Sequence, residues 1–408
     1  MRKYWKLATT IAVIVLSIGT FYVNSATSAE QYPKFVIHTQ SGDPEEIKPL
    51  VLEGSYSDTT SMNYVSTNLK ITADGSTYNS RSFLDQLIGQ PPTLIKEFQE
   101  EYRTFMRGKS SDVNSFFENK QVLVYADVNY NMSSLRSRDF KFEISVLNKE
   151  DGNIDSYTVE VPDDGELEYL YVEGVQMVES ELHLITQNMK RSSEDYYDEK
   201  YIYTIDMANK KISNHESIIQ VPEWHDDQHI YVQLINSSPA TAKEHLIFVK
   251  TEEKVIEDTE STREEFINQE IISYNVATKE KKILNVPDFR IDNNQLSFFD
   301  GSTIYFMRLG GQGLEVTPYS LVDDQVGQAF SIQLSGEEGI FPATMATVKD
   351  SKLYIASSQL SPKLNLKAVV LVADVNTGET LYKGQLALED TSKEKGDFEL
   401  YFHEMFVN

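Results

Sequence analysis

The densest grouping of potential ligands in this 408-residue sequence is Trp224-His225-Asp226-Asp227-Gln228-His229. Imidazole and carboxylate groups bind transition metals, and His225 and His229 stand four apart, a spacing that would share one face of a helix. Pro222 before the group and the β-forming run 230–235 after it place the group in a loop instead, where that spacing fixes no geometry. The expected reading is an acidic turn with incidental histidines. His225, Asp226, Asp227 and His229 stand as the candidate metal ligands.

Three other stretches invite a chemical reading. Asp127-Val128-Asn129-Tyr130-Asn131 begins like a calcium loop, but its sixth position is Met132 and its twelfth Arg138, where Gly and Glu are required, so a β-turn is expected. Leu309-Gly310-Gly311-Gln312-Gly313-Leu314 is rich in glycine, yet 315–319 reads as a strand, so a hairpin turn is expected and not a phosphate cradle. Glu194-Asp195-Tyr196-Tyr197-Asp198-Glu199 reads as a solvated acidic loop, with partner docking as the alternative. There is no cysteine and no Gly-x-Ser-x-Gly elbow, so the nucleophilic constellations that need them are absent. The 63 acidic residues offer too many pairs for sequence to single out a general acid and base. No catalytic residue and no cofactor is expected.

The elements that must position these groups come from a repeat. A short strand of polar, then apolar or aromatic residues recurs with its first apolar residue at Leu69, Val122, Leu182, Leu246, Ile304, Leu353 and Leu400. Seven copies about 55 residues apart predict an all-β fold, a seven-bladed β-propeller. Hairpins follow several copies, with turns at 148–153, 206–210, 275–279 and 374–379 built from Asn, Asp and Gly between β-formers. The chain ends just after the seventh copy, while 34–39 and 47–53 form a strand pair with no strand upstream. Pairing of 34–39 with 400–405 is therefore expected to close the ring. One segment departs from the pattern: within 91–118, Leu94, Phe98, Tyr102 and Phe105 fall at a helical period, with Thr93 as N-cap, Gly108 as stop and a second short helix from Ser111.

Val372-Ala373-Asp374-Val375-Asn376-Thr377-Gly378-Glu379-Thr380-Leu381-Tyr382 resembles the strand-turn-strand unit of the pyrroloquinoline-quinone-type propeller repeats of exported bacterial proteins. Tyr382 stands where that repeat usually ends in Trp, and the turns at 206 and 275 lack the Gly. The resemblance implies architecture and carries no quinone cofactor with it.

Arg2, Lys3 and Lys6 precede the uncharged apolar run 7–23 and the small residues 25–29. This is the pattern of a signal peptide, or of an uncleaved anchor, at 1–29, leaving 30–408 as a single extracytoplasmic domain. Beyond residue 29 the chain carries 34 basic against 63 acidic residues, a charge of −29 that repels nucleic acid and anionic lipid heads. Membrane contact is expected only through 7–23, and a protein or carbohydrate ligand at the cell surface remains. The leading expectation is a secreted or anchored noncatalytic binding or assembly module. The alternatives are a propeller-type enzyme acting on a polysaccharide and a regulatory partner of a membrane protein.

Overall fold

The computed structural model describes residues 32–407 apart from 60–65, 79–90, 133–136, 163, 193–194, 223, 226, 238–239, 258–261, 287–295, 311–312, 335–343, 363–365 and 391–397, together with 10–11, 13–16 and 19–20. The last three groups are helical. No helix among the described residues is long and apolar enough to cross a membrane.

The described residues form six largely antiparallel sheets, and the chain divides into two compact units, 1–90 with 307–316 and 329–408, and 91–306 with 317–328. All seven anchor residues lie in strands. They nevertheless fall in six sheets and not seven, because Leu69 and Leu400 share one. In it the strands run Gln359–Leu360, Phe398–Val407, Leu50–Asp58, Ser66–Thr72 and Gly75–Tyr78. The first and last copies are two parts of one sheet, completed by the strand between them.

The expected pairing of 34–39 with 400–405 is not formed. Phe35–Gly42 pairs with Thr380–Leu388 in one sheet, and Leu50–Asp58 pairs with Phe398–Val407 in another. The 3-10 turn Pro44–Ile47, capped by the Asp43 carboxylate on the amide of Glu45, redirects the chain between the two strands, so each finds a different C-terminal partner. Both ladders bury aromatic side chains in one core, where the Phe35 ring lies 5.5 Å from that of Phe398 and 6.2 Å from that of Tyr56. Gly42 has φ +85°, and a Cβ there would meet the Leu381 carbonyl, so the crossing needs a glycine.

In the second unit, Phe116–Glu118, Val122–Met132, Ser137–Asn148 and Ile154–Glu160 form one sheet, and Leu167–Val178, Glu181–Ser192, Asp195–Asp206 and Lys211–Pro222 a second. A third contains Trp224–His225, Gln228–Leu234, His245–Glu257, Thr262–Asn275 and Lys281–Leu284. The hairpin turns share one device. The first turn residue accepts hydrogen bonds from amides two and three residues on, at Asp206 (3.0 and 3.0 Å), Asn275 (3.0 and 2.8 Å) and Asp374 (2.9 and 2.9 Å). Four residues after each, the backbone turns left-handed at Lys210, Lys279 and Gly378. Two of the three do this without glycine; the bonds from the side chain preorganise the turn.

Helix α1 (Thr93–Glu101) and the short α2 (Arg103–Met106) break at Tyr102. Ile95, Phe98, Phe105 and Met106 are buried against Phe116, Leu123 and Leu147 of the adjoining sheet, while Leu94 and Tyr102 are only half-buried. Thr93 is the first helical residue and makes no cap; Pro92 holds the cap position and accepts from the amide of Lys96. Gly108, at φ +77°, follows the helix end as expected. The second helix is reduced to one 3-10 turn, Val113–Ser115, because Phe116 already enters the sheet.

Candidate metal centre

The strands of the second unit extend well past their apolar stretches. His245–Glu257 has Leu246, Ile247, Phe248 and Val249, all buried, near its start and passes through Thr251, Glu252, Glu253 and Lys254 before its last three residues. Its neighbours follow the same course. On one face of this sheet the cross-strand rows read Gln233–Val249–Ile271, then Tyr231–Thr251–Gln269, then His229–Glu253–Phe266. Ile247, Val249 and Ile271 belong to an apolar core, and the face turns polar one row further along.

The last row carries the cluster. His229, Glu253 and Glu264 each offer a ligand atom, and the three atoms lie within 4.8 Å of one another. Each comes from a different strand: His229 stands directly opposite Glu253, and Glu264 lies two residues from Phe266, on the same face. His229 Nδ1 is 3.6 Å from Glu264 Oε1. Donors held about 2.1 Å from one ion are at most about 4.2 Å apart, so small side-chain rotations would close the set on a cation. Glu253 is buried, at 9% exposure, whereas the Glu264 side chain is 46% exposed and gives the cluster an open side.

Groups behind the cluster orient it. The Tyr231 hydroxyl bonds to Thr251 and Glu253, and the Tyr231 ring lies 5.4 Å from that of His229. Burial, then the nearby Glu253 charge, push the Tyr231 phenol above its ordinary range, so it remains a neutral donor. Gln269 Nε2 donates to Thr251 Oγ1 at 2.8 Å. A carboxylate held by such partners keeps a fixed direction, as metal-ligating carboxylates require.

Of the four sequence candidates, His229 is the one that joins this cluster among the described residues. The 224–229 stretch is a tight hairpin with a turn at Asp227, as the acidic-turn reading has it, but with both histidines in paired strands: Trp224 pairs with His229 and His225 with Gln228, which puts the two histidines in successive rows. Asp226 lies outside the described residues. Asp227 is exposed and bound to Lys254 at 2.9 Å, and that bond holds its carboxyl below the usual range. Glu253 and Glu264 were missed because they sit 24 and 35 residues from His229, in a polar stretch that reads as loop; only strand register brings them together.

The other motif readings meet the same fact. Residues 127–131 are strand, not turn, with Asn129 bonded to Glu143 across the ladder. Asp195 to Glu199 are also strand, and Glu199 is buried and paired with Lys190 at 2.7 Å, so the expected solvated loop is not found there; Glu194 lies outside the described residues. Gly310 ends one strand and Gly313 begins the next, with 311–312 outside the described residues.

No protein-family profile matches the chain, and no curated protein matches it. Among solved structures, an uncharacterised protein from Listeria monocytogenes is similar at 10% identity over 67% of this chain and 66% of its own, with a TM-score of 0.34. TolB from Acinetobacter baumannii matches at 9% identity over 86% of this chain and 66% of its own, with a TM-score of 0.30. An apocarotenoid oxygenase variant from Synechocystis matches at 9% identity over 86% and 92%, with a TM-score of 0.41. The chain thus spans slightly under two thirds of the first two, and none of the three superposes at a TM-score of 0.5.

Proposed function

We propose that the chain is a noncatalytic, extracytoplasmic binding module, that its six sheets are the blades of one β-propeller, and that a divalent transition-metal ion bound by His229, Glu253 and Glu264 forms part of its binding surface. The observation that carries the reading is the convergence of one imidazole and two carboxylates, from three adjacent strands, on one face backed by Tyr231 and Thr251. Imidazole with carboxylate suits zinc and its neighbours, whereas calcium takes six to eight oxygen ligands. Three protein donors leave a coordination position for a hydroxyl or carboxylate of a protein or carbohydrate partner. The basic start and apolar run at 1–23 support a location outside the cytoplasm.

The test is a thermal melt of the EDTA-treated full chain with and without Zn²⁺. Free zinc at 100 times the dissociation constant stabilises the folded state by about 2.7 kcal/mol. That shift should vanish in Glu253→Gln and in His229→Ala. An undiminished shift in both variants would reject the site. The mass of the mature N-terminus and the cell fraction that contains it test the location separately.

A further inference from the structure

A second feature of this unit lies away from the metal cluster. The strands Ile154–Glu160 and Lys211–Pro222 contribute to a cleft of about 550 Å³, lined among others by Thr158, Glu160, Lys210, Lys211, Ser213 and His215. This is within the range of small-ligand sites, roughly 300 to 1,000 Å³. In a chain with a net charge of −26, the lining is cationic. Lys210 is paired with Asp155 at 2.7 Å and Glu160 with Lys141 at 3.1 Å, so these charges are balanced locally. Lys211 forms no ion pair among the described residues; it stands opposite Asp206 in the strand ladder, whose carboxylate feels its charge, and its ammonium is the one lining cation not held in a close pair.

His215 is held as an oriented group and not as a loose surface side chain. Its Nδ1 lies 2.8 Å from the Tyr201 hydroxyl, and its ring stacks on those of Tyr201 and Tyr203 at 6.0 and 6.1 Å, with interplanar angles of 28° and 18°. Behind it a buried polar chain fixes the aromatic pair: Asn188 Nδ2 donates to the Tyr203 hydroxyl at 3.1 Å, and Thr186 Oγ1 donates to Asn188 Oδ1 at 2.7 Å. Thr186 and Asn188 are completely buried. A row of polar groups in a core is worth its desolvation only when its members are satisfied, and here their common effect is to set the imidazole. When Tyr201 donates its hydrogen to Nδ1, the imidazole hydrogen is on Nε2, leaving an N–H donor on the far side of the ring.

We propose that this cleft binds a small ligand through an oxyanionic group, a phosphate or a carboxylate, with Lys211 supplying the charge, His215 an oriented N–H and the Thr158 hydroxyl a further donor; the Ser213 hydroxyl donates to the Thr204 carbonyl at 3.2 Å and stays outside the donor set. Tyr201 is a positioning residue, acting through His215. The proposal is independent of the metal reading, because none of its residues belongs to the metal cluster.

Isothermal titration of the full chain in EDTA, with inorganic phosphate in one arm and succinate in the other, distinguishes the two anion sources. The expected result is millimolar or tighter binding of at least one anion, weakened tenfold or more in Lys211→Ala and in His215→Gln. Tyr201→Phe should weaken it as well and shift the His215 ring resonances, with the melting temperature reported alongside to separate positioning from folding. His229→Ala should leave anion binding unchanged. Absence of binding by both anions up to about 10 mM, an affinity of under 3 kcal/mol, would overturn the proposal. So would equal affinity in the parent, Lys211→Ala and His215→Gln proteins.

Discussion

Two three-stranded ladders, one in each unit, use the same alternation of side chains toward opposite ends. In the first, the rows Met405–Leu52–Ile71, Phe402–Gly54–Leu69 and Leu400–Tyr56–Thr67 carry apolar side chains at every position but Gly54 and Thr67. In the second, rows that begin as Val249–Ile271 pass through Tyr231–Thr251–Gln269 and finish at His229–Glu253. The first ladder is committed to stability, since burial of each large apolar side chain contributes about 1.5–3 kcal/mol. The second gives up part of that gain to desolvate carboxyl and phenol groups, an expense that the proposed cation would offset.

The sharpest way to break the comparison is to remove the last strand of the first ladder. Deleting 398–408 should abolish cooperative unfolding of the first unit, because Leu50–Asp58 loses nine paired residues and the core loses Phe398, Leu400 and Phe402. The milder Phe402→Ala should destabilise by about 3–5 kcal/mol in urea or guanidinium titrations. A truncated chain that melts with the full one would show that the ladder is ornamental.

How much of this was legible in the sequence depends on where along each strand one looks. All seven anchors are strands because apolar and β-branched residues cluster there, and the Asx-type turns at Asp206, Asn275 and Asp374 follow from their side chains. The outer halves of the strands were not legible. His245–Glu257 runs for 13 residues, with polar Thr251, Glu252, Glu253 and Lys254 past its apolar start, and such a stretch reads as loop. Backbone hydrogen bonding, which sequence does not display, carries the ladder beyond the core. Residues 127–131, 195–199 and 224–229 therefore read as turns or loops in sequence, and Glu253 and Glu264 do not stand out. The anchors at 69 and 400 counted as two sheets because chain ends that complete one sheet look like two separate repeats.

A smaller effect sharpens the contrast within the second unit. Burial pushes the Lys243 amine down to about 8 from the ordinary 10.5. Below pH 8 the folded and unfolded chains both carry the proton, and the full burial penalty applies. Between pH 8 and 10.5 the unfolded chain binds more protons, so stability rises with pH across that window and levels off above it. Each tenfold loss of proton affinity on folding costs about 1.36 kcal/mol, so Lys243→Met should gain about 1–3 kcal/mol at pH 7 and erase the rise. A pH-stability curve that keeps the same slope in the variant would assign the rise to other groups.

The smallest expected change is the most telling for the polar ladder. Glu253→Gln should alter the stability of the metal-free protein by less than about 1 kcal/mol, in contrast to Phe402→Ala, since a buried carboxylate contributes little net stability without its ligand.

The polar end of the second ladder is, on this reading, a cation site, and X-ray absorption of the untagged full chain loaded with one equivalent of Zn²⁺ tests that most directly. The expected spectrum shows one imidazole and two carboxylate ligands at about 2.0–2.2 Å, lost together in Glu253→Gln. A spectrum with two or more imidazoles, or one unchanged by Glu253→Gln, would contradict it.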